Sequence, residues 1–226
     1  MLAGTLRQKL RSGTPFFALH SAGANPDLVE LLAKSGADAV YLDAERSPLD
    51  LGQIVAMRRA AHAVGCPVLL RPHSDNAAEL VRYLDTGVDG LICPRIESPA
   101  DLVAIRETIR YARGKAADNT ALVAQIESAA AVEARAALFA AGTADAFFLG
   151  PNDIAWGMGL EASAEEVQAL LRLTLRDGIQ AGRTVGLPVD PASVAEWHEQ
   201  GARYFSVRLP AVFKGLMQQL QAATAG

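Results

Sequence analysis

Two carboxylates, Glu127 and Asp153, each stand just past a short apolar run, and their placement is where chemistry is first legible in this sequence. Residues 121–126 (ALVAQI) run into Glu127 and Ser128, with Gln125 just inside; residues 146–149 (AFFL) run into Gly150, Pro151, Asn152 and Asp153. An Ala-rich segment of helical character lies between them, so the stretch reads strand, helix, strand with an acid at each exit. Parallel strands joined by a right-handed crossover are usually neighbours. Neighbouring strands sit roughly 5 Å apart, close enough for two carboxylates to share one hard divalent cation. Free N–H groups in the turn opened by Gly150 and Pro151 can hold a carboxylate, as helix N-termini do. A cation beside such donors suits a 2-oxo acid, whose oxygens it chelates and whose enolate it steadies. The bland alternative is two solvated acids at loop mouths.

Other apolar runs also end on polar residues: His20 and Ser21; Asp43, Glu45 and Arg46; Arg71 and His73; Pro94 and Arg95; Asp190; Arg208. Arg71 closes the run Val68-Leu69-Leu70, where a guanidinium is costly unless it is paired or faces a ligand. It therefore contacts a ligand or oxyanion, or pairs with Asp43 or Glu45. Those two acids stand two apart and share a direction; they hold a water, orient a base, or pair with Arg46. His20 and His73, at strand exits, are placed to carry protons. His62 and His198 fall on predicted helices and read as exposed. Trp156 and Met158 read as packing the floor of the loop after Asp153.

The elements that must position these groups alternate. Strands are predicted over 16–21, 38–43, 67–71, 89–93, 121–126, 146–149, 184–189 and 204–207. Each is followed by a helical segment, and a short helix over 5–11 precedes them. Four strands are launched from a repeated signature: SGAD, TGVD, GTAD and QGAR, in which Gly ends a helix in the left-handed conformation. Eight alternating units point to an α/β fold, one closed (β/α)₈ TIM barrel spanning residues 1–226. No Gly-x-Gly-x-x-Gly supports the rival open sheet.

Half of the 226 residues are hydrophobic and a fifth charged, enough for a large core. The net charge of −4 gives no reason to expect nucleic acid or an anionic membrane as partner. Cys66 and Cys93 read as buried free thiols rather than a zinc motif. The N-terminus lacks a signal-peptide pattern and no apolar run is long enough to span a membrane, so the sequence reads as cytoplasmic.

YLDAERSPLDLGQI, VLLRPHSDNAAELVRYLDTGVDGLICPRIESPADL, ALVAQIESAAAVEA and FFLGPNDIAWGMG together resemble the HpcH/HpaI aldolase and citrate lyase β superfamily, in order over residues 14–210. The combination of Q-x-E-(S/T) with F-x-G-P-x-D-(I/L) is specific. The resemblance implies a metal-dependent carbon–carbon lyase acting on 2-oxo acids such as pyruvate, with an aldehyde as second substrate. It makes Glu127 and Asp153 the ligands of a divalent cation, Mg²⁺ first, Mn²⁺ or Co²⁺ as alternatives. Arg71 takes the role of stabilising the enolate oxygen; Gln125, Gly150, Pro151 and Asn152 line the substrate, Asn152 through its backbone. Asp43 and Glu45 fall on the acidic residues after the second strand. The resemblance also implies a homo-oligomer, for which the apolar C-terminal helix over 212–220 is a candidate surface, with packing on its own barrel as the alternative.

Three departures stand out. Arg46 replaces the histidine that pairs with the Asp at position 43 and serves the pyruvate aldolases as base. The connection RYARGKAADNTALVAQ is shorter than theirs. Arg208 stands where they have glycine. With guanidinium unable to serve as base, the candidates become His20, His73 or a metal-bound water held by Asp43. A citrate lyase β-like or acyl-CoA lyase, with Arg46, Arg95 and Arg208 meeting further carboxylate or phosphate groups, is the first rival. A metal- and acid-binding barrel without catalysis is the second.

Overall fold

The computed structural model describes residues 6–224. Its eight strands are β1 (Phe16–His20), β2 (Ala39–Asp43), β3 (Val68–Arg71), β4 (Gly90–Cys93), β5 (Ala121–Ile126), β6 (Ala146–Leu149), β7 (Val185–Val189) and β8 (Tyr204–Arg208). They pair in parallel, in sequence order, and β8 closes on β1, giving a barrel. The helices are α1 (Leu6–Arg11), α2 (Pro26–Lys34), α3 (Leu51–Ala63), α4 (Ala77–Asp85), α5 (Pro99–Arg113), α6 (Ala129–Glu133), α7 (Arg135–Ala141), α8 (Pro151–Met158), α9 (Glu165–Gln180), α10 (Val194–Glu199) and α11 (Leu209–Thr224). The predicted (β/α)₈ architecture and short N-terminal helix are therefore what the chain forms. A 3₁₀ segment, Gly114–Asn119, and the two-turn α8, read from the sequence as a single turn, are additions.

Side chains alternate across a strand, and this divides the core in two. Val40, Leu42, Leu70, Leu91, Leu122, Ala124 and Phe147 face the helices. Phe16, Ala18, Tyr41, Leu69, Ile92, Val123, Phe148 and Tyr204 fill the barrel, joined by Leu6 and Leu10 of α1 from below. The glycines of the repeated signature do end helices with positive φ: Gly36 at 94°, Gly87 at 87°, Gly142 at 67° and Gly201 at 99°.

The aspartate of that signature has a job the sequence did not disclose. Asp38 Oδ2 accepts the Phe17 N–H at 3.0 Å, Asp89 Oδ2 the Val68 N–H at 2.8 Å, and Asp145 Oδ2 the Leu122 N–H at 2.9 Å. Each carboxylate ties the start of its own strand to the strand before it. Asp89 also bonds His62 Nε2 at 2.7 Å, which corrects the expectation that His62 is a free, exposed helix residue: its side chain is 30% exposed. Cys66 and Cys93 are buried free thiols, as expected.

Candidate active site

Every inward position of a strand has a successor two residues on, so the inward series ends at the C-terminal mouth with the polar residues. Tyr41 leads to Asp43, Leu69 to Arg71, Val123 to Gln125 and then Glu127, Phe148 to Gly150, and Ser206 to Arg208. The mouth of such a barrel is where active sites are built. A cavity of about 860 Å³ opens there, lined among others by His20, Asp43, Arg46, Arg71, Gln125, Gly150, Pro151, Asn152, Asp153 and Arg208. Ten of the residues expected from sequence are thus brought together on one surface.

On one side of the mouth lies a charge network. Arg71 donates from Nε to Asp43 Oδ1 at 2.9 Å and from a terminal nitrogen to Asp43 Oδ2 at 2.6 Å, and its other terminal nitrogen lies 3.0 Å from Glu45. Burial would raise the Asp43 pKa. Hydrogen bonds from His20 and Arg71, with the Arg71 charge, outweigh it and hold this carboxyl far below the usual range. Arg71 is correspondingly fixed as a cation: burial works against its charge, but the Asp43 bonds and the charges around it win. Arg71 is thus ion-paired with Asp43 and Glu45, as one of the two sequence options had it, and it also lines the cavity.

His20 belongs to the same network. Ala22, in the left-handed region at φ 50°, turns its N–H onto His20 Nδ1 at 3.1 Å. That nitrogen is therefore an acceptor, and Nε2 carries the hydrogen it donates to Asp43 Oδ2 at 3.2 Å. Both ring nitrogens are engaged. His73 is not brought to the cavity; its Nδ1 bonds the Tyr83 hydroxyl of α4.

Across the mouth stand the two carboxylates. Glu127, 8% exposed, accepts the Arg95 N–H at 2.8 Å and a bond from the Gln125 amide. Burial first, then the nearby charges of Asp153 and Glu45, raise its pKa above the ordinary glutamate value. Arg95 contributes its backbone, at φ 54°, while its side chain lies 3.9 Å from Asp75 and away from the cavity. Gly150 is required where it is: a Cβ there would stand 2.7 Å from the Glu127 Cβ. Asp153 sits in the first turn of α8 and pairs with Arg46 at 3.0 Å.

A divalent cation suits this donor set. The Asp153 charge is close enough to be felt at Glu127, and a cationic side chain, Arg46, already stands on Asp153. Among the described residues the buried Gln125 Oε1 atom has no hydrogen-bond partner, an acceptor left for a ligand. Among the described residues no group of three or more His, Cys, Asp or Glu gathers as a ready-made metal cage. Two carboxylates with the remaining positions left to water and substrate is a pattern that Mg²⁺-type ions use.

Sequence reasoning passed over Tyr41, Ser206, Pro188 and Phe148, which also line the cavity. The signal was available, since Tyr41 and Ser206 lie two residues before Asp43 and Arg208. Trp156 corrects an expectation: it lines the cavity edge but is 86% exposed and packs no floor.

A parallel barrel whose mouth joins Glu127, Asp153 and a cavity-facing Arg71 has the groups that a metal-dependent carbon–carbon lyase needs, and comparison with known proteins gives that class. Residues 17–209 match the model of the HpcH/HpaI aldolase/citrate lyase family, and the chain belongs to that family. It is 31% identical to a hydroxypyruvate/pyruvate aldolase of Paraburkholderia phytofirmans, over 89% of this chain and 85% of the relative. A 4-hydroxy-2-oxovalerate aldolase of Novosphingobium aromaticivorans is 30% identical, over 89% and 87%. Among solved structures, an HpcH/HpaI aldolase/citrate lyase family protein from Burkholderia cenocepacia superposes with a TM-score of 0.86 at 25% identity, over 97% of this chain and 99% of that one.

Proposed function

We propose that the protein is a divalent-metal-dependent aldolase that cleaves or forms 4-hydroxy-2-oxo acids, with pyruvate or a related 2-oxo acid as one partner and an aldehyde as the other. The observation that carries this reading is Glu127 beside Asp153, opposite a half-buried, cavity-facing Arg71. Glu127 and Asp153 would hold the cation, Mg²⁺ first, with Mn²⁺ or Co²⁺ as alternatives. Bound there, the cation supplies positive charge to the carboxylate and 2-oxo oxygens of the substrate. Gln125 and the backbone N–H groups at Asn152 and Asp153 would orient that carboxylate.

In the cleavage direction the C3–C4 bond breaks and its electron pair passes toward the 2-oxo oxygen, where Arg71 stabilises the growing charge. Asp43 and Glu45 keep Arg71 in place. The 4-hydroxyl proton leaves to water, because His20 is engaged at both nitrogens and Asp43 is a very weak base, and C3 of the enolate takes up a proton from water to give pyruvate beside the aldehyde. His20 acts by fixing Asp43. Glu127→Ala and Asp153→Ala should each lower metal-dependent pyruvate release from a 4-hydroxy-2-oxo acid by about a hundredfold or more. Release at the native rate in both variants would overturn the reading.

We also infer that the chain self-associates. Helix α11 has no buried residue, and Phe213, Leu216, Met217 and Leu220 stand about half exposed along it. A second copy covering this apolar face is the natural occupant for a family of this architecture.

A further inference from the structure

The cavity is larger than a small 2-oxo acid requires, and its lining includes two arginines, Arg46 and Arg208, that the reaction above does not use. Arg208 ends the inward series of β8 and sits beside His20 in strand register. It is exposed, lines the cavity, and makes no ion pair or hydrogen bond among the described residues. Arg46 follows β2, whereas Asp153 follows β6, four strands round the closed barrel. The 3.0 Å bridge between them therefore spans the mouth.

That bridge is built to be exchanged. Its side chains are 63% and 39% exposed, and an ion pair so open to water is weak. A divalent cation held by Glu127 and Asp153 would compete with the guanidinium for the same carboxylate and would repel it. Arg46 would then be free at the exit of β2, which is separated only by β1 from β8, where Arg208 stands without an acid among the described residues. Two guanidiniums over one cavity wall recognise an anion, and their planar forks match carboxylate and phosphate oxygens.

We propose that Arg46 and Arg208 form an acceptor subsite that selects aldehydes carrying an anionic group, a carboxylate or a phosphate. The proposal rests on the aldolase reading and adds to it the charge of the second substrate. It also assigns chemistry to two of the three departures noted from the sequence, Arg46 and Arg208.

The test measures kcat/KM for pyruvate addition to three aldehydes of similar size: glyoxylate, glyceraldehyde 3-phosphate and neutral glyceraldehyde. The native protein should favour an anionic aldehyde over the neutral one, and whichever anion is favoured names the group. Arg208→Gln and Arg46→Gln should each reduce that anionic-to-neutral ratio about tenfold or more, mainly through KM. Calorimetry with Mn²⁺ alone should show Arg46→Gln binding the ion more tightly than the native chain. A native preference for the neutral aldehyde, or ratios unchanged in both variants, would overturn the subsite. If no aldehyde is turned over, the aldolase reading fails, and titration of the Mn²⁺-loaded protein with inorganic phosphate and with succinate decides the subsite separately. Binding lost in the double Gln variant then supports it, and binding absent from the native protein, or retained by the variant, overturns it.

Discussion

The two ends of this barrel carry similar residue types and treat them in opposite ways. At the N-terminal end Asp145, fully buried at its side chain, is met by Arg7 at 2.9 Å, Arg11 at 2.6 Å and Arg106 at 3.0 Å, and also accepts the Leu122 N–H. Its charge is fully answered within the chain. At the C-terminal end, among the described residues, Glu127 is buried without an ion pair, Gln125 Oε1 has no hydrogen-bond partner, and Arg208 faces the cavity without an acid. Charge satisfied internally stabilises the fold; charge left unanswered is available to ligands. The same aspartate–arginine chemistry thus serves as a fastener below and as a binding surface above.

The sharpest way to break the comparison is at the fastener. Asp145→Ala leaves three guanidiniums facing a void and should cost about 3–5 kcal/mol of stability in urea denaturation. A loss no larger than that of an exposed ion pair would show that the lower end is no structural hub. At the upper end Arg71→Lys keeps the charge but loses the fork that grips Asp43 and Glu45. It should lower kcat by about 10²–10³, roughly 3–4 kcal/mol, while far-UV circular dichroism stays native. Gly150→Ala drives a Cβ against Glu127 and should cost about 1–3 kcal/mol, with weaker metal binding seen in the same calorimetric titration. An alanine accepted with native metal affinity would remove the packing argument for that glycine.

The smallest effect is in pH. Asp43 has a depressed pKa in the folded chain and about 3.9 when unfolded. Its contribution to stability is therefore complete above about pH 4 and is lost as pH falls from there toward the folded value. The stability gap between the native chain and Asp43→Asn should accordingly narrow below about pH 4, measured by thermal melts at stepped pH. A gap that widens on acidification would contradict the assigned network.

Much of the barrel was legible because its signals are local. Apolar runs, helix-ending glycines and alternating units each lie within one segment, and each reflects backbone geometry that a few residues set. The site was legible to the same depth: period two along each strand puts Asp43, Arg71, Gln125, Glu127 and Arg208 on the inner face near its end. Partners were not legible. Arg46 meets Asp153 across 107 residues, and His62 on α3 meets Asp89 at the foot of β4, pairings that exist only once strands and helices are packed. His73 looked as well placed as His20, yet the turn after β3 carries it to Tyr83 instead.

The sequence by itself determined the fold and the identity of the groups at the barrel mouth, since both follow from periodicity and from chemistry carried on single segments. The tertiary structure decided which of those charges are spent on one another and which remain for a ligand. Ion pairs depend on distance and exposure, and closure of β8 onto β1 is what brings Arg208 beside His20, β2 opposite β6, and Arg46 within reach of Asp153.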